Sequence, residues 1–231
     1  MKIAGIIGGI GPESTLEYYR LLVSTYRERK PDGSYPPLII NSIDMQRMRS
    51  LVEANQLAGL TEYLLEEIRR LAGAGADFGA LSANTPHLVF DGLRRRSPVP
   101  LISIVEVTCE AAKRLGLNRL GLLGTRMTMQ GRFYPEVFTP AGMALVVPDS
   151  AEQDYVHDKY MNELVNGIVR AETRQGMLAI VERLKRQERI EGLILGGTEL
   201  PLLLGDVKDP GLVFLDTTRL HVEQIVARML G

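Results

Sequence analysis

An α/β fold of two similar lobes, each with a parallel sheet, is predicted by three features of the sequence. Short apolar runs alternate with amphipathic stretches along almost the whole chain, the pattern of parallel strands joined by right-handed helical crossovers. Two of those runs pass directly into small polar residues where a helix should begin, at Ser82, Ala83, Asn84 and Thr85 and again at Gly196, Gly197, Thr198 and Glu199. The pattern also repeats. When Ile7 and Gly8 are laid on Leu123 and Gly124, the step to Ala83 in the first cycle nearly equals the step to Gly197 in the second, and Tyr18 and Tyr134 stand equally far beyond their glycines. A tandem duplication explains these matches. Ligands of open α/β sheets sit beyond the carboxyl ends of the strands, so a ligand cleft between two pseudo-symmetric lobes is expected. The expected lobes are residues 1–100 plus 210–231, and residues 101–209.

Taken in order, residues 3–7 read as a buried strand, followed by a glycine-rich turn and an amphipathic helix over 13–29. Residues 38–41 form a second strand, and one long helix is expected over 53–71, closed by Gly73 and Gly75. The strand leading to Ser82 follows, then a helix opened by Pro86, a short strand within 98–104 and a helix over 106–115. The second cycle starts with a strand over 119–125 and a helix through 130–138. A strand over 144–147, helices over 152–171 and 174–187, a strand over 193–195, a weak strand over 213–215 and a final helix over 217–230 complete it.

Composition narrows the classes of function. The chain has 231 residues, 45% apolar and 24% charged, enough to bury a sizeable core. A net charge of −1 offers no electrostatic footprint for nucleic acid or a membrane surface, which points to small-molecule partners. The lone cysteine, Cys109, reads as a core residue, and no Cys or His spacing suggests a metal. No signal-like or membrane-spanning run is present, so the expected location is cytoplasmic.

At the two strand ends, glycines let the backbone approach a ligand closely, while hydroxyls, an amide and unpaired N–H groups converge on one small volume. That arrangement suits a small anion. The turn at Gly8, Gly9, Gly11 and Pro12 departs from the dinucleotide pattern, and no acidic residue ends the second strand where a ribose would need it; Asp44 is the nearest. These glycines are read as close approach to a carboxylate.

With equivalent groups on opposite sides of one ligand, a proton could leave one face of a carbon and return on the other. Here the sequence resembles the cofactor-independent aspartate/glutamate racemases over nearly its whole length. The resemblance is carried by Gly8, Gly9, Ile10, Gly11, Pro12, Glu13, Ser14 and Thr15, by Ala83, Asn84, Thr85, Pro86 and His87, and by the run from Gly121 to Gly124 and Thr125. It continues in Glu163, Asn166 and Gly167, in Gly196, Gly197, Thr198, Glu199 and Leu200, and in Phe214, Asp216, Thr217, Thr218 and His221. It implies two Rossmann-like lobes, an amino-acid ligand between them, a homodimer, and no cofactor, in particular no pyridoxal phosphate. It also implies that two cysteines, one before Asn-Thr and one before Thr-Glu, act as the opposed acid and base. This sequence has Ala83 and Gly197 at those places. A thiol exchanges its proton near neutrality, with a reference pKa of about 8.5, whereas a methyl group or a hydrogen cannot.

The residues left to move a proton are Glu199 and His87, the latter disfavoured as a cation by its place in a helix first turn. Gly9, Asn84, Thr85, Thr125 and Thr198 are the candidates to grip a carboxylate, and Arg47 and Arg49 suit a distal one through a bidentate fork, with Arg126 and Arg170 as weaker choices. The helical stripe of Tyr155, His157, Tyr160 and Glu163 reads first as half-buried packing, with the lining of the cleft or of a dimer face as the alternative. The expected function is an amino-acid racemase or isomerase acting on a small amino acid or carboxylate. The alternatives are a binding protein that has lost the chemistry, or a lyase using the same carboxylate grip.

Overall fold

The computed structural model describes residues 1–207 and 209–231, and it divides into two compact units, residues 1–104 with 221–231 and residues 105–220. The first unit contains β1 (Ala4–Gly8), α1 (Pro12–Arg29), β2 (Leu38–Ser42), α2 (Met45–Glu53), α3 (Leu57–Gly73), β3 (Phe78–Leu81), α4 (Phe90–Arg96) and β4 (Leu101–Ile102). In the second lie most of α5 (Ile104–Arg114), then β5 (Arg119–Gly124), α6 (Arg126–Gln130), α7 (Pro135–Phe138), β6 (Ala144–Val146), α8 (Ser150–Asn162), α9 (Ala171–Glu188), β7 (Gly192–Gly196), α10 (Pro201–Leu204) and β8 (Val213–Asp216). The last helix, α11 (Thr217–Leu230), starts in the second unit and ends in the first.

Each unit holds one four-stranded parallel sheet, in the orders β2-β1-β3-β4 and β6-β5-β7-β8. The strand orders are the same, as a duplicated strand–helix cycle requires. Successive side chains of a strand point to opposite faces. Ile6 and Ile7 of β1, Leu122 and Leu123 of β5, and Ile194 and Leu195 of β7 are all buried, so both faces of each sheet are covered. The first core is built from Ile6, Leu22, Tyr26, Leu64, Ile68 and Phe78; in the second, Leu123, Val156, Tyr160, Leu164, Met177 and Leu193 belong to one cluster.

Several boundaries differ from the sequence expectation, each for a local reason. Residues 210–220 belong to the second unit rather than the first, because β8 pairs in parallel with β7, Leu195 opposite Asp216. The long helix expected over 53–71 is two helices. Asp44 caps α2 by accepting from the Gln46 N–H, and Asn55 then takes the left-handed conformation (φ 52°), which a short polar side chain tolerates. The helix expected over 152–171 stops at Asn162, and the left-handed Gly167 (φ 70°) turns the chain before α9. The stretch 130–138 is split into α6 and α7, since a β-carbon on Gly131 would lie 2.4 Å from the Met127 carbonyl oxygen and Pro135 opens a new helix. Ile104 begins α5 instead of ending a strand.

One buried polar contact fixes the end of the chain inside the first unit. Tyr18 Oη lies 2.8 Å from His221 Nδ1, and His221 Nε2 lies 3.1 Å from the Ile102 carbonyl oxygen. A carbonyl can only accept, so Nε2 carries the proton and Nδ1 accepts from the Tyr18 hydroxyl. Tyr18→Phe would strand that nitrogen in a site with no exposed surface. It is expected to lower stability by about 1–3 kcal/mol in urea unfolding, with the denaturant slope unchanged.

Candidate active site

The carboxyl ends of neighbouring strands gather the candidate residues into two clusters, one in each unit. In the first, β1 and β3 pair in register up to Ile7 and Leu81, and the Ser82 N–H and hydroxyl both donate to the Ile7 carbonyl at 3.0 Å. The Ser14 hydroxyl donates to the Ser82 carbonyl at 2.8 Å. These bonds bring Gly9 and the segment Ala83, Asn84 and Thr85 to one place. Ala83 and Asn84 are buried, and Thr85 is half-buried at the start of a 3-10 turn. Gly9 has φ 77°, and a β-carbon there would lie 2.4 Å from the Ile43 carbonyl, so no other residue fits. Its N–H donates to Thr15 Oγ1 at 2.8 Å, an internal use of that amide.

His87 is placed in this cluster but held by the fold. Its Nδ1 stands 3.2 Å from the Ala83 carbonyl and its Nε2 accepts from the Ile104 N–H at 3.2 Å, while the ring stacks on Phe90 at 4.7 Å between centroids. Burial, with the nearby His221 second, pushes its pKa down to about 3. The sequence offered His87 as a proton carrier or, more readily, as a packed structural histidine; the structure has a neutral imidazole that ties Ala83 to the start of α5.

In the second cluster β5 and β7 pair up to Gly124 and Gly196. Thr125 caps α6 by accepting from the Thr128 N–H, and its hydroxyl lies 3.2 Å from that of Thr128. Beyond β7 the Leu200 N–H donates to the Gly197 carbonyl at 3.1 Å, closing a turn with Thr198 and Glu199 at its corner. The Glu199 carboxylate is 3% exposed. Its Oε2 accepts from the Thr198 hydroxyl at 2.8 Å and from the Tyr160 hydroxyl of α8. Burial first, and the Glu199 charge second, raise the Tyr160 phenol well above its ordinary pKa, so it remains a neutral donor.

Tyr160 is the residue that the sequence reading left as packing. A β-carbon on Gly197 would lie 2.3 Å from Tyr160 Cε2 and 2.9 Å from its hydroxyl. Gly197 does not have a left-handed φ; the tyrosine ring is what excludes a side chain there. The sign in the sequence was the place of Tyr160 in the helical stripe with Tyr155, His157 and Glu163.

The arginine candidates are divided between the units, Arg47 and Arg49 in the first and Arg126 and Arg170 in the second. Arg47 and Arg49 are exposed on α2, after β2; Arg47 rests over the Tyr63 ring at 4.3 Å and Arg49 pairs with Glu53 at 2.9 Å. Arg126 pairs with Asp154 at 2.7 Å, and exposed Arg170 stands 4.0 Å from Glu163. Cys109 is buried, 3.8 Å from the Val137 carbonyl, and burial raises its pKa. Among the described residues no group of three His, Cys, Asp or Glu is placed to hold a metal, and no helix is long and apolar enough to cross a membrane.

Residues 7–225 match the Asp/Glu/Hydantoin racemase family. The chain belongs to this family. The racemase-family chain is similar over its full length to two solved structures that it also covers in full. One is an aspartate racemase homologue from Pyrococcus horikoshii OT3, 35% identical with a TM-score of 0.85; the other is a candidate Asp/Glu racemase from Yersinia pestis, 29% identical with a TM-score of 0.91. The broad specificity amino-acid racemase of Bacillus subtilis strain 168 is 24% identical over 180 residues, covering 72% of this chain and 69% of that one. Two α/β lobes with parallel sheets are thus shared with known racemase structures.

The site generates two predictions. His87 and His221 are pushed down to about 3 and about 4 from 6.5 by burial, so the unfolded chain binds their protons at a higher pH than the folded one. Stability is then full above pH 6.5 and falls as the pH drops, by up to about 1.4 kcal/mol per pH unit for each ring. Urea midpoints measured from pH 7 to 5 should decline, and a flat profile would mean that the rings are charged in the fold. Separately, Gly197→Ala should cost about 1–3 kcal/mol by overpacking. That cost should shrink in a Tyr160→Ala background, where the ring is gone, and a thermodynamic cycle of the four proteins measures the difference.

Proposed function

We propose that this protein interconverts the enantiomers of a small amino acid without a cofactor, taking the α-proton at the strand-end clusters and returning one to the other face. The observation that carries this reading is the buried Glu199 carboxylate, fixed by two hydroxyls at the residue after Thr198, beside the position where the family resemblance expects a thiol. Membership of the racemase family supports the class of reaction, and Ala83 and Gly197 set it apart from two-thiol chemistry.

In this reading Glu199 accepts the α-proton, and the electron pair of the C–H bond moves into the substrate carboxylate to give an enediolate. Hydroxyl and amide donors at Asn84, Thr85 and Thr125, with the backbone at Thr198 and near Gly9, bear the developing charge. Protonation by water from the opposite face inverts the centre, and the hydroxide left by that water takes the proton from Glu199, restoring both the carboxylate and the water. His87 keeps the Ala83 backbone in place. Arg47 and Arg49 receive a side-chain carboxylate; the exposed pair of Arg49 with Glu53 holds it only weakly against such a ligand. A homodimer is part of the same reading and rests on the resemblance.

The test is incorporation of solvent deuterium at the α-carbon of aspartate, glutamate and a panel of other amino acids, followed by mass spectrometry and chiral separation. Exchange accompanied by loss of optical purity is expected for at least one substrate and should drop by a hundredfold or more in Glu199→Gln. Absence of exchange across the panel would overturn the proposal.

A further inference from the structure

A glycine at position 197 could be read as the simple loss of a reactive side chain, yet the space beside it is filled. Tyr160 comes from α8, 39 residues away in sequence from its partner Glu199, and its ring occupies the volume where a β-substituent at 197 would stand. The two positions exclude one another: a side chain at 197 displaces the ring, and a smaller residue at 160 leaves a void beside a glycine in a buried corner. The same ring delivers its hydroxyl to the one carboxylate in this turn.

Resting on the racemase reading above, we propose that Tyr160 is a positioning residue that replaces a side chain at 197 in space and holds Glu199 as the proton carrier of the second cluster. Both hydroxyls meet the same oxygen: Thr198, the adjacent residue, reaches Oε2 from the turn and Tyr160 reaches it from α8. Thr198 alone moves with the turn it belongs to. Tyr160 is anchored independently, in the core cluster of Val156, Leu164 and Met177, and so fixes the carboxylate against a second element. A carboxylate held by rigid neighbours spends less of its motion outside the reactive geometry, which affects turnover more than substrate affinity.

Tyr160→Phe isolates this role, because the ring that fills the corner remains and only the hydroxyl is lost. Two readouts are needed. In deuterium exchange, kcat should fall at least tenfold with KM within twofold of the parent. In the unliganded protein at pH 7, the 13C-carboxyl resonance of Glu199, assigned through Glu199→Gln, should move when the phenol is removed. An unchanged kcat, or a KM that rises in step with the loss of rate, would overturn the positioning role. So would an unmoved resonance, whatever the rate does. A parent protein that exchanges no substrate would instead remove the racemase reading, and the resonance would still report on the tie between Tyr160 and Glu199. Melting temperature is followed alongside, and Thr198→Val, which removes the other hydroxyl and keeps the shape, should give a smaller loss of kcat than Tyr160→Phe; an equal or larger loss would overturn the primacy of the α8 tether.

Discussion

Close contact between the carboxyl ends of β5 and β7 is the constraint from which the second cluster follows. Gly124 and Gly196 are register partners. A β-carbon on Gly124 would lie 2.7 Å from the Gly196 carbonyl oxygen, and one on Gly196 would lie 2.8 Å from that of Leu123. Two small residues at the last rung let the strands end side by side, so that Thr125 and the turn at Thr198 and Glu199 emerge together. In the first unit Gly8 stands at the matching strand end for another reason: a β-carbon there would lie 2.6 Å from Thr15 Cγ2, a side chain of α1. Backbone proximity at strand ends therefore comes first, and the side chains that do chemistry are placed by it.

That constraint is also what made the fold readable. An apolar run ending in glycine before a polar turn is a local pattern, and it occurs at Gly8, Gly124 and Gly196, where it marks the ends of buried parallel strands. The even spacing of the two cycles disclosed the duplication for the same reason. What escaped the sequence was decided by tertiary packing. The run Val213, Phe214 and Leu215 is too short to declare its sheet, and only its pairing with β7 puts it in the second unit. Tyr160 sits on a helical stripe that looks like ordinary core, and its hydroxyl finds Glu199 only because α8 is laid beside the end of β7. His87 looks titratable in a linear reading, whereas burial and two backbone partners make it a neutral brace.

The two clusters share a frame but differ in chemistry. At the end of β3, hydroxyls and an imidazole are turned towards backbone carbonyls: Ser14 to Ser82, Ser82 to Ile7, His87 to Ala83. At the end of β7, hydroxyls are turned towards a carboxylate. One half stiffens its own main chain and the other prepares an anion. Such divergence within a duplicated scaffold is possible because the apolar core that the strands and their covering helices share, not the reactive groups, carries the buried apolar surface.

The path of α11 bears on how the molecule comes to be assembled. The first unit is written in two pieces, since its N-terminal segment ends at Ile104 while Val222, Ile225, Val226 and Met229, all buried, come from the last helix. By themselves, residues 1–104 lack part of the apolar surface that completes their interior, and the Tyr18 hydroxyl meets a histidine that follows the whole second unit in the chain. The second unit, by contrast, is one uninterrupted run that holds all four strands of its own sheet, so it can close by itself, whereas the first is sealed only when the last helix returns to it.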